Sequence, residues 1–374
     1  MGTPNLWNPK ASFSILATNN QYVRRSLLAW FERSARSLPW RESRDAYRIW
    51  ISEVMLQQTQ VATVIPYFHK FLECYPTLAN LADADEHDVL QLWEGLGYYR
   101  RARDLLKAAR QLRDAGFATV PNDASIVRSL PGFGRYTTNA VLSQAYDARL
   151  PILEANSTRL LCRLFGIEGD PKRADNQSRL WHLAEVILPR KNVGAFNQAL
   201  MELGSLVCKP NTPACPSCPL KRSCVAFRHG RQAEIPHRAQ AAEITNVAET
   251  AVVISRGDRI LLVQRPSSGR WANLWEFPHV ENASGETNTQ TAARLLSTLG
   301  VSGMVDSEIA TIRHSVTRYR ITLTAFHATY QSGLIESPMH PNHAWVRLNE
   351  LSSYPLSAPQ RRLARALMTT VHPS

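Results

Sequence analysis

The chain has 374 residues, of which 44% are hydrophobic and 20% are charged, and it carries a formal net charge of +12 at pH 7. This length predicts two domains with a core in each, and the composition is that of an ordinary soluble protein. No uninterrupted apolar stretch is long enough to span a bilayer, which excludes a membrane-spanning protein. The positive charge favours a polyanionic partner, nucleic acid before a membrane, with solubility alone as the other explanation.

Residues 1–20 are predicted to form a flexible tail, and residues 21–227 a helical domain. Apolar residues recur there at helical spacing, as in Trp50, Val54 and Val61, and almost nothing alternates as in a strand. Residues 1–6 show neither a signal-peptide core nor a myristoylation site. We therefore expect an all-α domain in a cytoplasmic protein, associated with the nucleoid if the host is bacterial.

Glu53 interrupts an apolar run in a predicted helix, with Trp50 before it and Leu56 after it on the same side. A carboxyl group buried there loses hydration, which raises its pKa and suits a proton donor near neutral pH. The alternative is a glutamate on the polar face of an amphipathic helix. Gln57 and Gln58 are amides suited to contacts with base edges or to filling a gap in a duplex, and their alternative is a solvated helix face.

The segment at residues 130–138 is predicted to form a tight hairpin before a helix. Gly132 and Gly134 follow Leu130 and Pro131, and they leave backbone N–H groups exposed. Those groups and the helix N-terminus are suited to a DNA phosphate. An ordinary helix–helix turn is the alternative.

Glu154 and Asn156 begin the next predicted helix, directly after an apolar stretch. Helix capping and neutralisation of the helix dipole explain both residues without any catalytic role. A second carboxylate also has a chemical use, because cleavage of an N-glycosidic bond passes through an oxocarbenium-like sugar cation. One acid must protonate the leaving base while one anion stabilises the sugar.

Four cysteines form a short loop, separated by six, two and five residues: Cys208, Cys215, Cys218 and Cys224. Thiolates are the ligands of iron clusters and of structural zinc. Two disulfides are disfavoured because intracellular proteins keep their thiols reduced. Zinc sites usually have two C-x-x-C pairs and this loop has one, so the spacing favours iron while zinc stays open.

Residues 228–248 lose periodicity and are predicted to form a linker. Beyond it, apolar runs at 251–254 and 260–263 flank a turn at 256–258, and residues 319–330 alternate as in a strand. Residues 359–368 are predicted to form a closing helix. Residues 249–374 are therefore predicted to form an α+β domain.

Several segments together resemble adenine DNA glycosylases, the base-excision enzymes that remove adenine mispaired with 8-oxoguanine. They are Leu38–Arg41, Glu53–Gln60, Gly95–Tyr99, the hairpin at 130–136 and Met201–Gly204. The resemblance is dense over residues 21–226 and looser beyond. It implies an all-α, two-lobed helix–hairpin–helix glycosylase with a [4Fe–4S] loop at 208–224, followed by an α+β nudix-like domain that recognises the lesion.

The resemblance also implies roles at the base and the sugar. Glu53 would protonate the adenine ring nitrogen, Arg41 and Glu202 would line the adenine pocket, and Tyr136 would support the sugar site. Relatives that cut the strand carry a lysine at the hairpin position of Tyr136. A tyrosine cannot form the Schiff base of that reaction, so a monofunctional glycosylase is expected.

At the mispair, the resemblance implies that Gln58 and Tyr98 wedge beside the oxidised guanine. It assigns the four cysteines to a [4Fe–4S] cluster, which favours iron over zinc. The implied partner is double-stranded DNA with adenine opposite 8-oxoguanine or guanine, bound by a monomer without a membrane. The adenine must leave the base stack to reach the active site.

Two segments depart from the family pattern. Glu154-Ala155-Asn156 stands where the family has Asp-Gly-Asn, and a displacement of about 1 Å can cost on the order of a hundredfold in rate. Residues 316–318 replace the Phe-Ser-His of the recognition loop, and Thr317 keeps a hydroxyl there. The glutamate cluster of a nudix hydrolase is missing after Glu286, so this domain is expected to bind rather than to hydrolyse pyrophosphate.

Two other functions remain as alternatives. One is a lesion-binding protein with little or no catalysis, which would follow if Glu154 cannot serve in place of the aspartate. The other is a glycosylase of the same fold for a different base, such as thymine mispaired with guanine. The attached second domain argues against the latter, since those relatives usually lack it.

Overall fold

The computed structural model describes residues 13–237, 243–335, 340 and 342–371. The chain divides into two compact units, which we call the first unit (residues 1–79 and 108–240) and the second unit (residues 80–107 and 241–374). Among the described residues, no helix is both long enough and apolar enough to cross a membrane.

Residues 13–237 are described as helices and turns, which confirms the all-α prediction for this part. The helices are α1 (Phe13–Ser34), α2 (Ala46–Leu56), α3 (Val61–Cys74), α4 (Leu78–Asp83), α5 (Glu86–Leu92), α6 (Arg100–Asp114), α7 (Ala124–Ser129), α8 (Arg135–Tyr146), α9 (Ala155–Phe165), α10 (Ala174–Val186), α11 (Val193–Leu206) and α12 (Val225–Arg228). Short 3-10 turns lie at Pro39–Arg41 and Cys215–Ser217.

Side-chain caps fix the ends of the helices that carry the site. The Asp45 carboxylate accepts the Arg48 N–H at the start of α2, at 2.9 Å. Asp147 ends α8 in the left-handed conformation. Its carboxylate accepts N–H groups of Asn192 and Gly194 at 2.9 and 3.0 Å, which ties the end of α8 to the start of α11. Each cap satisfies backbone donors that a helix terminus leaves without partners.

Two glycines let α11 lie directly against the backbones of α8 and α9. A Cβ at Gly194 would stand 2.4 Å from the Ser143 carbonyl oxygen and 2.9 Å from the Gln144 Cα. A Cβ at Gly204 would stand 2.8 Å from the Asn156 carbonyl oxygen. Real Cβ atoms do not approach backbone so closely, so only glycine permits this packing.

The second unit contains a seven-stranded sheet with path β3-β2-β1-β6-β5, to which β4 adds beside β1 and β7 beside β2. The strands are β1 (Thr245–Arg256), β2 (Arg259–Gln264), β3 (Trp275–Glu276), β4 (His279–Glu281), β5 (Val301–Val316), β6 (Tyr319–Gly333) and β7 (Asn342–Arg347), with helices α13 (Asn288–Thr298) and α14 (Ala358–Val371). Strands β1 and β6 pair in parallel, with Thr245 opposite Tyr319, and the other paired strands among the described residues are antiparallel. The predicted α+β class and strand–turn–strand are confirmed.

Alternation along β1 places apolar side chains on both faces of the sheet. Ala251 and Val253 belong to one core, which includes Leu363 of α14. Val252 and Ile254 belong to the other core, which includes residues of α13. The sheet is therefore a middle layer with one helix on each face, which explains why β1 is apolar at consecutive positions.

Residues 80–107 join this unit through polar contacts with its C-terminal part. The Arg361 guanidinium donates to both carboxylate oxygens of Glu94, at 2.6 and 2.7 Å. Tyr99 donates to the Leu356 carbonyl at 3.1 Å, and His87 hydrogen-bonds the Ser353 carbonyl at 2.7 Å. A segment from the middle of the helical sequence is thus part of the second unit.

The predicted tail and the predicted linker each overlap a regular element of the structure. Helix α1 begins at Phe13, so the last residues assigned to the tail are helical. Strand β1 begins at Thr245, inside the predicted linker. Residues 1–12 and 238–242 lie outside the described residues. The predicted domain boundaries at residues 227 and 249 stay predictions, because the second unit combines residues 80–107 with residues 241–374.

We predict that Arg361→Met lowers the free energy of unfolding of the second unit by about 2–4 kcal/mol, because it removes the Arg361 guanidinium from the partly buried Glu94 carboxylate. Arg347→Met removes an exposed pair with Asp258 and should lower that free energy far less. Chemical denaturation of both variants measures the difference. Equal losses would contradict a structural role for the Glu94–Arg361 pair.

Candidate active site

Glu53 lies inside the first unit, on a helix whose side chains are almost all buried. Its side chain is 4% exposed, in a helix where Trp50 and Met55 are 1% and 0% exposed. The Tyr136 hydroxyl donates to its Oε2 at 2.7 Å, and the Gln144 amide Nε2 donates to its Oε1 at 2.6 Å. The predicted burial of Glu53 is confirmed, and the polar-face alternative is wrong.

Burial is the largest influence on the Glu53 carboxyl, and it raises its pKa. The hydrogen bonds from Tyr136 and Gln144 lower this pKa, and the nearby charge of Glu154 raises it again. The net direction is upward, which keeps a proton on the group at higher pH than on an exposed glutamate. The same two carboxyl groups and burial raise the Tyr136 pKa well above its ordinary value, so Tyr136 stays protonated.

Glu154 is the N-cap of α9, as the capping explanation predicted. Its Oε2 accepts the Asn156 N–H at 2.7 Å, its Oε1 accepts the Ser157 N–H at 2.6 Å, and the Ser157 Oγ accepts the Glu154 N–H at 2.8 Å. Burial raises the Glu154 pKa, and the helix N–H groups and the charge of Arg159 reduce this rise without reversing it. The positive end of the helix thus supports a negative charge here.

Arg159 and Arg163 connect α9 to the cysteine loop. The Arg159 Nη2 donates to the Asn156 Oδ1 at 2.8 Å, and its Nε donates to the Cys208 carbonyl at 2.8 Å. The buried Arg163 donates to the Lys209 carbonyl at 2.7 Å and to the Cys208 Sγ at 3.4 Å. Asn156 is therefore held by a side chain that also contacts the first cysteine.

The four cysteines line one cavity, together with Leu160, Arg163 and Leu164 of α9. Burial raises the pKa of the Cys218 thiol to about 12 and raises those of Cys215 and Cys224. Four thiols with an arginine on a common cavity are the donor set of an anionic metal–thiolate group. Within the described part of the chain, no three His, Cys, Asp or Glu side chains are arranged to hold a single metal ion.

Glu202 on α11 is almost fully buried, at 1% exposure, and two arginines surround its carboxylate. The Arg36 Nε and Nη2 donate to its two oxygens at 2.8 Å each, and the Arg41 Nη2 donates at 3.0 Å. Burial alone would raise the Glu202 pKa, but the hydrogen bonds from the arginines outweigh it and lower that pKa to about 2. Arg41 and Glu202, two predicted pocket residues, are in direct contact.

The predicted hairpin joins α7 and α8. Gly132 has φ +75°, a conformation that side chains rarely adopt. Gly134 is the N-cap of α8, and a Cβ built on it would meet nothing within 4 Å. The start of α8 is therefore open to a ligand at the backbone.

Three residues implied at the mispair share an unusual backbone conformation. Gln58, Tyr98 and Thr317 have φ of 58°, 49° and 53°, in the left-handed region that non-glycine residues seldom occupy. Gln57 and Gln58 follow the last residue of α2, so they do not lie on a helix face, and the Gln57 amide donates to Thr137. Gln58 belongs to the first unit, whereas Tyr98 and Thr317 belong to the second.

Arg36 and Gln144 also belong to this site, although the sequence did not predict them. Arg36 contacts Glu202 across 166 residues of sequence, and Gln144 contacts Glu53 across 91. The sequence signal for Gln144 is weak, because Ser143, directly before it in α8, is polar as well. No local pattern marks Arg36.

Comparison with known proteins gave matches in both parts of the chain. A family described as "HhH-GPD superfamily base excision DNA repair protein" matches residues 51–185, and a NUDIX domain family matches residues 250–366. The solved structure of a thermostable thymine-DNA glycosylase superposes with a TM-score of 0.52, at 26% identity over 57% of this chain and 98% of that chain.

Curated relatives extend the similarity over most of the chain. The adenine DNA glycosylase of Buchnera aphidicola subsp. Schizaphis graminum is 36% identical over 68% of this chain and 74% of its own length. The human protein of that name is 31% identical over 91% and 73%. The Rattus norvegicus protein is 38% identical over 73% of this chain, but the match covers only 63% of the rat protein.

Proposed function

Because the chain belongs to the adenine DNA glycosylase family, we propose that it excises adenine from duplex DNA by hydrolysing the N-glycosidic bond, in base excision repair. The observation that carries this proposal is the buried carboxyl of Glu53, whose two oxygens accept hydrogen bonds from Tyr136 and Gln144 beside a second carboxyl, Glu154. The proposed substrate is adenine opposite 8-oxoguanine or guanine, turned out of the base stack.

Glu53 acts as the general acid in this proposal. Burial raises its pKa, which favours the protonated carboxyl that donates a proton to a ring nitrogen of adenine as the glycosidic bond breaks. Protonation converts the base into a neutral leaving group. Tyr136 supports the reaction by holding Oε2 of the acid, at 2.7 Å.

Glu154 supplies the negative charge at the sugar. The backbone N–H groups at the start of α9 support its ionised form, whereas Glu53 receives only neutral side-chain donors within a more apolar setting. Burial raises the pKa of both carboxyl groups, but the helix N–H groups and Arg159 oppose that rise at Glu154. Glu154 is therefore proposed as the anion and Glu53 as the acid that glycosidic cleavage requires. Asn156, held by Arg159, lies in the first turn of the same helix.

Tyr136 also argues for hydrolysis without strand cleavage. Its hydroxyl stays protonated and donates to Glu53, and the hairpin position offers no amine to attack the sugar. A Schiff base at that residue is therefore impossible, and we expect the abasic site to remain uncut.

The remaining residues are proposed to bind the two sides of the mispair. Arg41 is proposed to line the adenine pocket, and the Glu202 carboxylate holds its guanidinium in place at 3.0 Å. In the first unit, Gln58 is proposed to contact the base opposite the adenine, and its positive φ fits a residue with a binding role. In the second unit, Tyr98 and Thr317 are proposed to contact DNA, and both also have a positive φ. Gly132 and Gly134 present the N-terminus of α8 to a DNA phosphate.

The four cysteines are proposed to hold a [4Fe–4S] cluster, which would cross-link the loop through four thiolate–iron bonds. The shared cavity and the contacts of Arg159 and Arg163 with this loop support the assignment. The loop in turn holds the start of α9 in place through Arg159. We assign the cluster no step of the reaction.

One observation favours a second candidate function. Both oxygens of Glu154 already accept backbone N–H groups, as expected of a residue that only caps a helix. If capping is its whole role, the chain binds lesions without fast excision. The similarity to a thymine-DNA glycosylase makes thymine opposite guanine the control substrate.

We predict that Glu53→Gln lowers the single-turnover rate of adenine excision by at least about a hundredfold, because the amide cannot donate an acidic proton. Binding to the same duplex should stay within about threefold, measured by fluorescence anisotropy. Glu73→Gln, at an exposed position of α3, is the control and should leave both unchanged. A Glu53→Gln enzyme that keeps a tenth of the wild-type rate would remove Glu53 from the acid role.

Glu154 variants separate charge from capping. Aspartate is a good N-cap and keeps the charge, so Glu154→Asp should retain excision. Glu154→Gln keeps most of the shape but removes the anion. The activation free energy of excision should rise by several kcal/mol, so the rate should fall on the order of a hundredfold or more. Single-turnover assays on adenine opposite 8-oxoguanine measure both. An active Glu154→Gln enzyme would leave capping as the only role of this residue and favour the lesion-binding alternative.

Anaerobically purified protein is expected to contain iron and sulfide with visible thiolate-to-iron absorbance. Cys218→Ser should lose the absorbance, because serine replaces a thiolate ligand, whereas Cys162→Ser at a buried position outside the loop should keep it. Elemental analysis decides the metal. Stoichiometric zinc in the wild-type chain would refute the cluster.

A further inference from the structure

The amide of Gln144 makes a short, buried contact with the proposed acid. Its Nε2 lies 2.6 Å from the Glu53 Oε1, and the two residues are 8% and 4% exposed. We propose that Gln144 is a positioning residue for Glu53: it occupies Oε1, leaves Oε2 as the oxygen that delivers the proton, and sets the pH range in which the acid works. This inference rests on the proposed function, because it concerns the same carboxyl group.

The chemistry of the two donors explains why the oxygens differ. An amide N–H can only donate, so a proton placed on Oε1 would oppose the N–H of Gln144. The Tyr136 hydroxyl can donate or accept, so it tolerates a proton on Oε2. It also has a second acceptor, since its oxygen lies 3.2 Å from the Met201 sulfur. When Glu53 is protonated, Tyr136 can turn its hydrogen toward Met201 and accept from Oε2.

Packing holds the backbone of Gln144 in place. The absent Cβ of Gly194 lets α11 approach within contact of the Gln144 Cα. Next to it, the Asn197 amide donates to the Ser143 hydroxyl at 2.9 Å. Because this backbone is already fixed, the Gln144 residue loses less conformational entropy when its amide binds the carboxylate. A rigid support of this kind is what a positioning residue requires.

The charged and titratable groups that act on Glu53 come from three elements. Tyr136 and Gln144 lie on α8, Glu154 begins α9, and Arg41 lies in the turn before α2. Burial and Glu154 raise the Glu53 pKa, whereas Tyr136, Gln144 and Arg41 lower it. The hydrogen bond from Gln144 therefore limits the rise in the Glu53 pKa that burial and Glu154 cause.

The test replaces Gln144 with methionine, which has a similar length and no N–H group. Loss of a charge-assisted hydrogen bond should raise the Glu53 pKa by about one unit or more. Only the protonated carboxyl is an acid, so activity present below the pKa is lost as pH rises through it. The alkaline limb of the single-turnover pH–rate profile should therefore move to higher pH by that amount. An unmoved limb, or one that moves to lower pH, overturns the proposal.

The matched control is Asn197→Leu. Asn197 is also a buried amide on a neighbouring helix, and it bonds Ser143 and the Leu150 carbonyl rather than Glu53. It should lower the melting temperature without moving the pH–rate profile. If Gln144→Met fails to fold, Gln144→Asn serves instead, because it retracts the amide from Oε1 and should move the limb in the same direction.

A second readout does not depend on activity. Full-length protein labelled with 13C at the glutamate carboxyl carbons reports the titration of Glu53 by NMR, with Glu53→Gln identifying the resonance. If the Glu53 pKa rises in Gln144→Met while wild-type protein excises no adenine, the positioning role stands and the proposed function fails. If wild-type protein excises adenine and the Glu53 pKa does not rise, the positioning role fails alone.

Discussion

The first unit must keep three carboxyl groups inside a helical core, and each buried charge needs its own compensation. Glu202 receives two arginines and stays an anion, with its pKa lowered to about 2. Glu154 receives the backbone donors of a helix terminus. Glu53 receives only a hydroxyl and an amide, which satisfy its oxygens without supplying a charge. The kind of donor thus differs among the three groups: arginines lower the Glu202 pKa, whereas burial raises the pKa of Glu53 and of Glu154 despite their hydrogen bonds.

Helix α11 holds this arrangement together. Its two glycines allow it to lie directly on α8, which carries Tyr136 and Gln144, and on α9, which Glu154 begins. A larger residue at either glycine would push α11 away from its neighbour and disturb contacts such as the Asn197–Ser143 hydrogen bond between α11 and α8. The same helix carries Glu202. The arginines of α9 extend the framework to the cysteine loop.

Patterns local in sequence predicted several of the elements. The apolar neighbours of Glu53 indicated its burial, the paired apolar runs indicated β1 and β2, and capping was foreseen for Glu154. The partners of these residues could not be predicted, because Arg36 and Gln144 reach their carboxylates only through tertiary packing. The membership of residues 80–107 in the second unit was missed for the same reason, since periodicity describes a helix and not what it packs against.

The second unit is built from two segments far apart in the sequence, and this affects the order in which it folds. Glu94 precedes its partner Arg361 by 267 residues, and Tyr99 precedes Leu356 by 257. A ribosome makes a chain from its N-terminus at about 5–20 residues per second, so this segment waits on the order of ten seconds or more for those contacts. During that time Glu94 and Tyr99 cannot make these two contacts, and α14 completes a structure that begins near residue 80.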